Sequence, residues 1–286
     1  MSTRFHDTAI AAIVETIGCT PTLYLNMYHD FAAYPNESVK DQALDTVSQS
    51  GDDLKVEDEN YRLAALLEAM VTDAPYQSGQ RFAAIAIILA QQHKKLVDLA
   101  RKWLEHFLLE LLSISTELDR CPDEPSIGWQ VRCRDGTKCP ISGCIHFRNL
   151  VDDNGEMVAE EMKDELQVEY FVPSPPLNFT GNLKFAYDML WVWANLTEDD
   201  WAKKVYRPEN AFLLASRHII DHRWMNLILE EQGTPDTYTA RFTASGGFSP
   251  TGDLSRDVVF RSPENPCSVL PPDSRFVRAR SALSSS

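Results

Sequence analysis

Three side chains in the last third of the chain have types and spacing that can do chemistry together. His218, Asp221 and His222 stand three and four residues apart, so a helix starting near Ser216 sets all three on one face. Two imidazoles four residues apart, with carboxylates beside them, suit Zn²⁺, Mn²⁺ or Fe²⁺ better than Mg²⁺, which prefers oxygen ligands and water. The same stretch reads equally well as ordinary surface polarity. A second concentration lies upstream, where Cys121, Cys133, Cys139 and Cys144 precede His146. Thiolates and imidazole are zinc's preferred ligands. Eleven, five and four residues separate these cysteines, whereas zinc knuckles use C-x-x-C pairs, so the spacing argues against an ion. Tyr187, Trp191, Trp193, Trp201 and Tyr206 could line an apolar pocket, although aromatic residues at helical spacing serve a core first. The chain has no G-x-x-x-x-G-K-[ST], G-x-G-x-x-G or G-x-S-x-G, which leaves nucleotide-cradling loops and serine hydrolysis without support.

Helices and strands must hold these groups in place, and their signals divide the chain. The first 120 residues read as helical: residues 61–70 and 81–90 are rich in helix formers without internal Gly or Pro, and the second run is apolar nearly all round. From Lys94 to Leu118 apolar residues step by three and four, the mark of a long amphipathic helix. Ser78 is a candidate cap, and the acidic residues 51–59 read as a loop. Two prolines and three acids between Asp119 and Pro125 stop the pattern. Beyond them the signals mix. Residues 167–172 and 211–215 suggest strands, 183–196 a helix, 224–230 and 238–243 a closing strand pair, and the Pro/Ser-rich residues 262–286 a draped tail. The expected organisation is a helical domain over 1–120, a linker over 121–128, a mixed domain over 129–261 and the tail.

The order of landmarks in the mixed region carries a resemblance. Arg134-Asp135-Gly136-Thr137-Lys138-Cys139-Pro140-Ile141-Ser142-Gly143 resembles the R-D-G-x-x-C-x-x-[ST]-G opening of HNH endonuclease domains of the fungal kind. Val168-Glu169-Tyr170-Phe171-Val172-Pro173 resembles the first catalytic strand of that family, and Asn210 to Leu214 with Arg217-His218 the segment supplying its Asn and second His. About 100 residues resemble the family at this level. The resemblance implies an α+β chain: a helical N-terminal half and a divergent HNH-like ββα-metal C-terminal half. It also implies Glu169 and His218 as ligands of one divalent ion (Zn, Mn, Fe or Mg), to which the helical spacing adds Asp221 or His222, with Asn210 as a positioning group and Cys139 as a packed structural thiol. Asn210 can equally cap a local turn. Where the family places its water-activating His stands Tyr170, whose phenol, with an ordinary pKa near about 10, is a poor base at neutral pH.

Charge points the same way. The chain carries 42 acids against 27 bases, a net −15, and the excess is shared: 10 bases face 18 acids up to Arg120, and 17 face 24 after it. Phosphate affinity rests on Lys and Arg displacing counterions, so nucleic acid is a poor partner for this composition. The sequence therefore suggests a divergent, nuclease-like protein acting with a metal on a small organic substrate, Tyr170, Asn210 and His218 carrying the chemistry. Two alternatives stay open: an endonuclease using His146 or His222 as substitute base with a local basic patch, and a non-catalytic protein-interaction module. The start shows no signal-peptide pattern, and the longest apolar run, Phe82 to Ala90, is nine residues where a membrane helix needs about 20. An intracellular location is expected, with the sequons at Asn36, Asn178 and Asn195 incidental.

Overall fold

The apolar run from Phe82 to Ala90 is buried along its whole length and forms most of helix α5 (Gln77–Gln92), around which the first half of the molecule is built. In the computed structural model residues 4–50, 54, 63–117, 125–148, 157, 159–173, 180–197, 203–242, 256–260 and 269–285 are described. They form a mixed α+β chain of two units: residues 1–113 with 175–199 and the last two residues, and residues 114–174 with 200–284. Most of the expected acidic loop 51–59, Cys121 and Trp201 lie outside the described residues.

In the first unit α5 packs against α2 (Pro21–Ala32), α3 (Asn36–Gln49) and α4 (Leu63–Thr72), with α1 (Arg4–Ile17) and α6 (Leu96–Trp103) beside them. Ser78 is not a cap, because α5 starts one residue earlier, after Tyr76. The expected long helix is present but passes through a π-turn at Leu104–Leu108 before α7 (Leu109–Glu117). The helix α9 (Gly181–Trp193) also belongs here, although it was expected in the mixed domain. Every residue of it from Phe185 to Trp193 is buried, and a helix apolar on all faces needs helical neighbours on all of them. Trp193 donates its indole N–H to the Met70 carbonyl at 2.9 Å and sets its ring edge-on to Phe107. A Cβ on Gly79 would stand 1.9 Å from the Trp193 carbonyl oxygen, so only glycine lets α5 approach α9 this closely.

The second unit holds α8 (Pro125–Asp135), which opens inside the expected linker, and three small sheets. β1 (Ile145–His146) pairs in parallel with β2 (Lys163–Asp164). β3 (Leu166–Tyr170) pairs antiparallel with β4 (Ala211–Ala215), Glu169 opposite Phe212 and Tyr170 opposite Ala211. α10 (Ser216–Arg223) follows β4 without a break. β5 (Leu227–Glu231), β6 (Thr237–Phe242) and β7 (Arg256–Val259) make an antiparallel meander with β5 at one edge. Phe171, Phe212, Phe260 and Tyr238 form an aromatic cluster, with Phe171 stacked on Phe212 at 4.5 Å and Phe260 edge-on to both.

The tail departs from expectation. Residues 274–285 form helix α11 (Ser274–Ser285), with Phe276, Val277, Ala279 and Arg280 buried. Ser281 Oγ donates to the Leu229 carbonyl at 2.7 Å and accepts from the Leu229 N–H at 3.0 Å, so a side chain completes the open edge of β5. Proline and serine composition suggested a draped tail with no core of its own; it is draped, but as a helix, and docking against a strand edge supplies the burial that composition alone lacks.

Since 175–199 completes the first unit, a fragment of residues 129–286 carries α9 without its neighbours and exposes Phe185, Met189, Leu190 and Trp193. The fragment is expected to be insoluble or to unfold without a cooperative transition by circular dichroism; a sharp thermal transition would show that α9 is dispensable to its partners.

Candidate functional site

The β3–β4 ribbon and α10 carry Glu169, Tyr170, His218, Asp221 and His222, with Asn210 just before β4. Ser216, first in α10, donates both its N–H and its hydroxyl to the Glu165 carbonyl, at 2.8 and 3.1 Å, tying the helix start to the strand start. The helix begins where the His-Asp-His spacing requires. Neighbouring strand residues face opposite sides, and Glu169 is accordingly buried while Tyr170 is half-buried.

Glu169 is held by Arg223 of α10, whose Nη2 and Nε donate to the two carboxylate oxygens at 3.0 and 3.4 Å. Burial pushes the Glu169 carboxyl up, and Arg223, with the buried Arg280 behind it, pulls it back. His222 is 3% exposed, meets Phe212 edge-on, and bonds through Nε2 to the Tyr170 carbonyl at 2.9 Å. A carbonyl only accepts, so Nε2 carries the proton. Burial first, then the charge of Arg280, hold this imidazole well below its ordinary range. His218 is half-buried with its ring tilted against Phe242 at 5.2 Å. Burial lowers its pKa, while the nearby carboxylates of Asp221 and Asp164 oppose that. Shared helix face does not become shared ligand. Among the described residues no three His, Cys, Asp or Glu side chains converge as an ion requires, neither at α10 nor around Cys133, Cys139, Cys144 and His146.

Asn210 is fully buried and its amide is spent on the backbone. Nδ2 donates to the carbonyls of Val172 and Val205 at 2.9 and 3.0 Å, and Oδ1 accepts from the Val172 N–H at 3.1 Å. These bonds serve structure, though not as a local turn cap: two of the three reach Val172, 38 residues away in sequence. Cys139 is buried, its Sγ accepting from the Ser142 N–H and its own N–H bonding the Cys144 carbonyl at 2.8 Å, as a packed thiol should.

The sequence motif conceals a pair that residue types alone did not single out. Arg134 and Asp135, at the end of α8, form a buried bidentate ion pair at 2.6 and 3.0 Å. Asp135 Oδ2 also accepts from the Leu213 N–H at 2.9 Å, and Arg134 donates to the carbonyls of Ala211 and Pro208 at 2.6 and 2.7 Å. Two side chains thus pair with the free edge of β4 as a third strand would. Gly136, at φ +76°, ends α8 in the left-handed conformation that places the pair. The same stretch, with β1, borders a cavity of about 500 Å³ lined by Trp129, Arg132, Cys133, Thr137, His146 and Arg148. His146 had drawn notice only as a possible zinc ligand or substitute base; the two arginines beside it lie 16 residues apart and give no local signal.

No protein-family model matches the chain, no curated protein matches it, and no solved structure matches it. Among the described residues no helix is long and apolar enough to cross a membrane.

Two outcomes follow from this geometry. Asp135→Ala leaves the Arg134 guanidinium buried without its counter-charge and the Leu213 N–H without an acceptor, and should cost about 3–5 kcal/mol in urea unfolding; a loss below about 1 kcal/mol would demote the pair. His222 has a folded-state pKa below its unfolded one, so the unfolded chain takes up a proton that the folded chain refuses. Stability present above about pH 6.5 therefore falls as the pH drops below it, by up to about 1.4 kcal/mol per pH unit for one group. His218 adds in the same direction. His222→Gln keeps an N–H for the Tyr170 carbonyl and should flatten the stability slope between pH 6.5 and 5 by one proton, which unfolding at several pH values would read.

Proposed function

We propose that this chain is a divergent relative of the HNH-like proteins that acts on a small organic ligand rather than on nucleic acid. One observation carries the reading: three of the groups that would make a nuclease centre, Glu169, Asn210 and His222, are engaged by the protein itself. The base position holds Tyr170, Asn210 is bonded to backbone on every amide atom, Glu169 is paired with Arg223, and His222 is bonded to the Tyr170 carbonyl. The order β3, β4, α10, a two-stranded antiparallel ribbon running straight into a helix, supports kinship with a ββα scaffold. The net charge of −15 supports a ligand that is not a polyanion.

The donors do not fit the divalent ion that the resemblance implies. Glu169 and His222 would each have to abandon a bonded partner to reach it, and the half-buried Arg223 would lose its carboxylate. What these residues do is fix the ribbon: Glu169 clamps α10 to β3, and His222 holds the last carbonyl of β3.

The deciding experiment is a cleavage assay on the purified full chain, with plasmid and single-stranded DNA at low salt and Mg²⁺, Mn²⁺ or Zn²⁺. No cleavage above an EDTA control is expected, and elemental analysis should find no stoichiometric metal. Metal-dependent cleavage that disappears in His218→Ala would overturn the proposal and restore an HNH endonuclease.

A further inference from the structure

The cavity beside α8 is chemically unlike the rest of the chain. In a molecule of net charge −15, the lining brings together Arg132, Arg148 and His146, with no carboxylate among the described residues that line it. We propose that it binds a small phosphate ester carrying a planar ring, a molecule of mononucleotide size. This inference does not depend on how Tyr170 and His218 are read.

Its polar groups are preset. Arg132 Nη2 donates to the Leu166 carbonyl at 3.0 Å, which fixes the guanidinium while leaving its other N–H groups for an anion. The Arg148 guanidinium lies over the Phe147 ring at 5.6 Å, and that ring stacks on His146 at 4.6 Å, so three consecutive residues brace one another. His146 Nδ1 accepts the Arg148 backbone N–H at 3.2 Å, which leaves the proton of the neutral ring on Nε2 as a donor. Burial and both arginine charges lower the pKa of that imidazole, and the exposed Glu165 opposes them. A guanidinium pair with a neutral N–H donor matches the several acceptor oxygens of a phosphate monoester.

The ring follows from Trp129. Its indole is 57% exposed at the cavity's rim, and a bare aromatic face beside an anion site is a stacking surface. A volume of about 500 Å³ falls in the range of about 300–1,000 Å³ usual for small-molecule sites. A nucleic-acid strand would have to extend beyond these few cations over a chain of net charge −15, where further phosphates find little compensation.

Calorimetric titration of the full chain tests this with AMP, adenosine, inorganic phosphate and a 12-nucleotide single strand as probes. AMP should bind saturably with a dissociation constant on the order of 100 µM at low salt, and adenosine and phosphate each at least about tenfold more weakly. Arg148→Glu, a change at an exposed side chain, should abolish AMP binding while the melting temperature stays within about 2 °C of the wild type; Trp129→Ala should weaken AMP several-fold and leave phosphate unchanged. No AMP binding up to 5 mM, or equal binding by Arg148→Glu, overturns the site; a strand binding more than about tenfold tighter than AMP overturns the ligand class in favour of nucleic acid.

Discussion

A buried ion pair between two consecutive residues organises the second unit. Arg134 and Asp135 take their charges out of water, at a cost that their mutual attraction alone does not offset. The difference is met by connectivity. The guanidinium reaches Asp135, Pro208 and Ala211, and the carboxylate reaches the guanidinium and the Leu213 N–H. A fully satisfied network of this kind defines one arrangement of the backbone around it, because any shift leaves a charge stranded in low dielectric. It joins the end of α8 to β4, and β4 carries β3 and α10. The edge of β4 that would otherwise present bare N–H and carbonyl groups is covered by side chains instead of by another strand.

The same principle runs through the ribbon. Its polar groups are consumed internally: Glu169 by Arg223, His222 by the Tyr170 carbonyl, Asn210 by the backbone around Val172. Each bond stabilises the ribbon, and each withdraws a donor or acceptor from chemistry. A group held at its hydrogen-bonding capacity in a buried site has nothing to offer a substrate without first losing its partner. The cationic cavity lies where this economy stops, with Arg148 and Trp129 exposed beside the half-buried His146.

The helical unit depends on a close approach instead of a charge. Gly79 allows α5 to meet the Trp193 carbonyl, and Tyr24 and Trp193 bring their polar atoms to the carbonyls of Phe82 and Met70, at 2.8 and 2.9 Å. Large aromatic residues fill the unit while their polar ends stay satisfied. The chain leaves this unit, builds half of the other, returns as α9 and leaves again, so neither unit is continuous in sequence.

By itself the sequence determined the local elements. Periods of 3.6 and 2 and stops at proline are properties of neighbouring residues, so the helices over the first 120 residues, a strand read at 167–172 and found at 166–170, the strand at 211–215 and the start of α10 near Ser216 could be read directly. The fit of the whole to one architecture could not. That α9 joins the first unit, that α11 docks on β5, and that Arg223 lies 54 residues from Glu169 yet beside it are facts of long-range packing that no window of sequence contains. The spacing of His218, Asp221 and His222 established a common helix face, but helical periodicity says only which side chains point together. Which way that face turns, toward Phe212 and the Tyr170 carbonyl or toward a ligand, was decided by tertiary structure, because burial and hydrogen-bond partners are set by residues far along the chain.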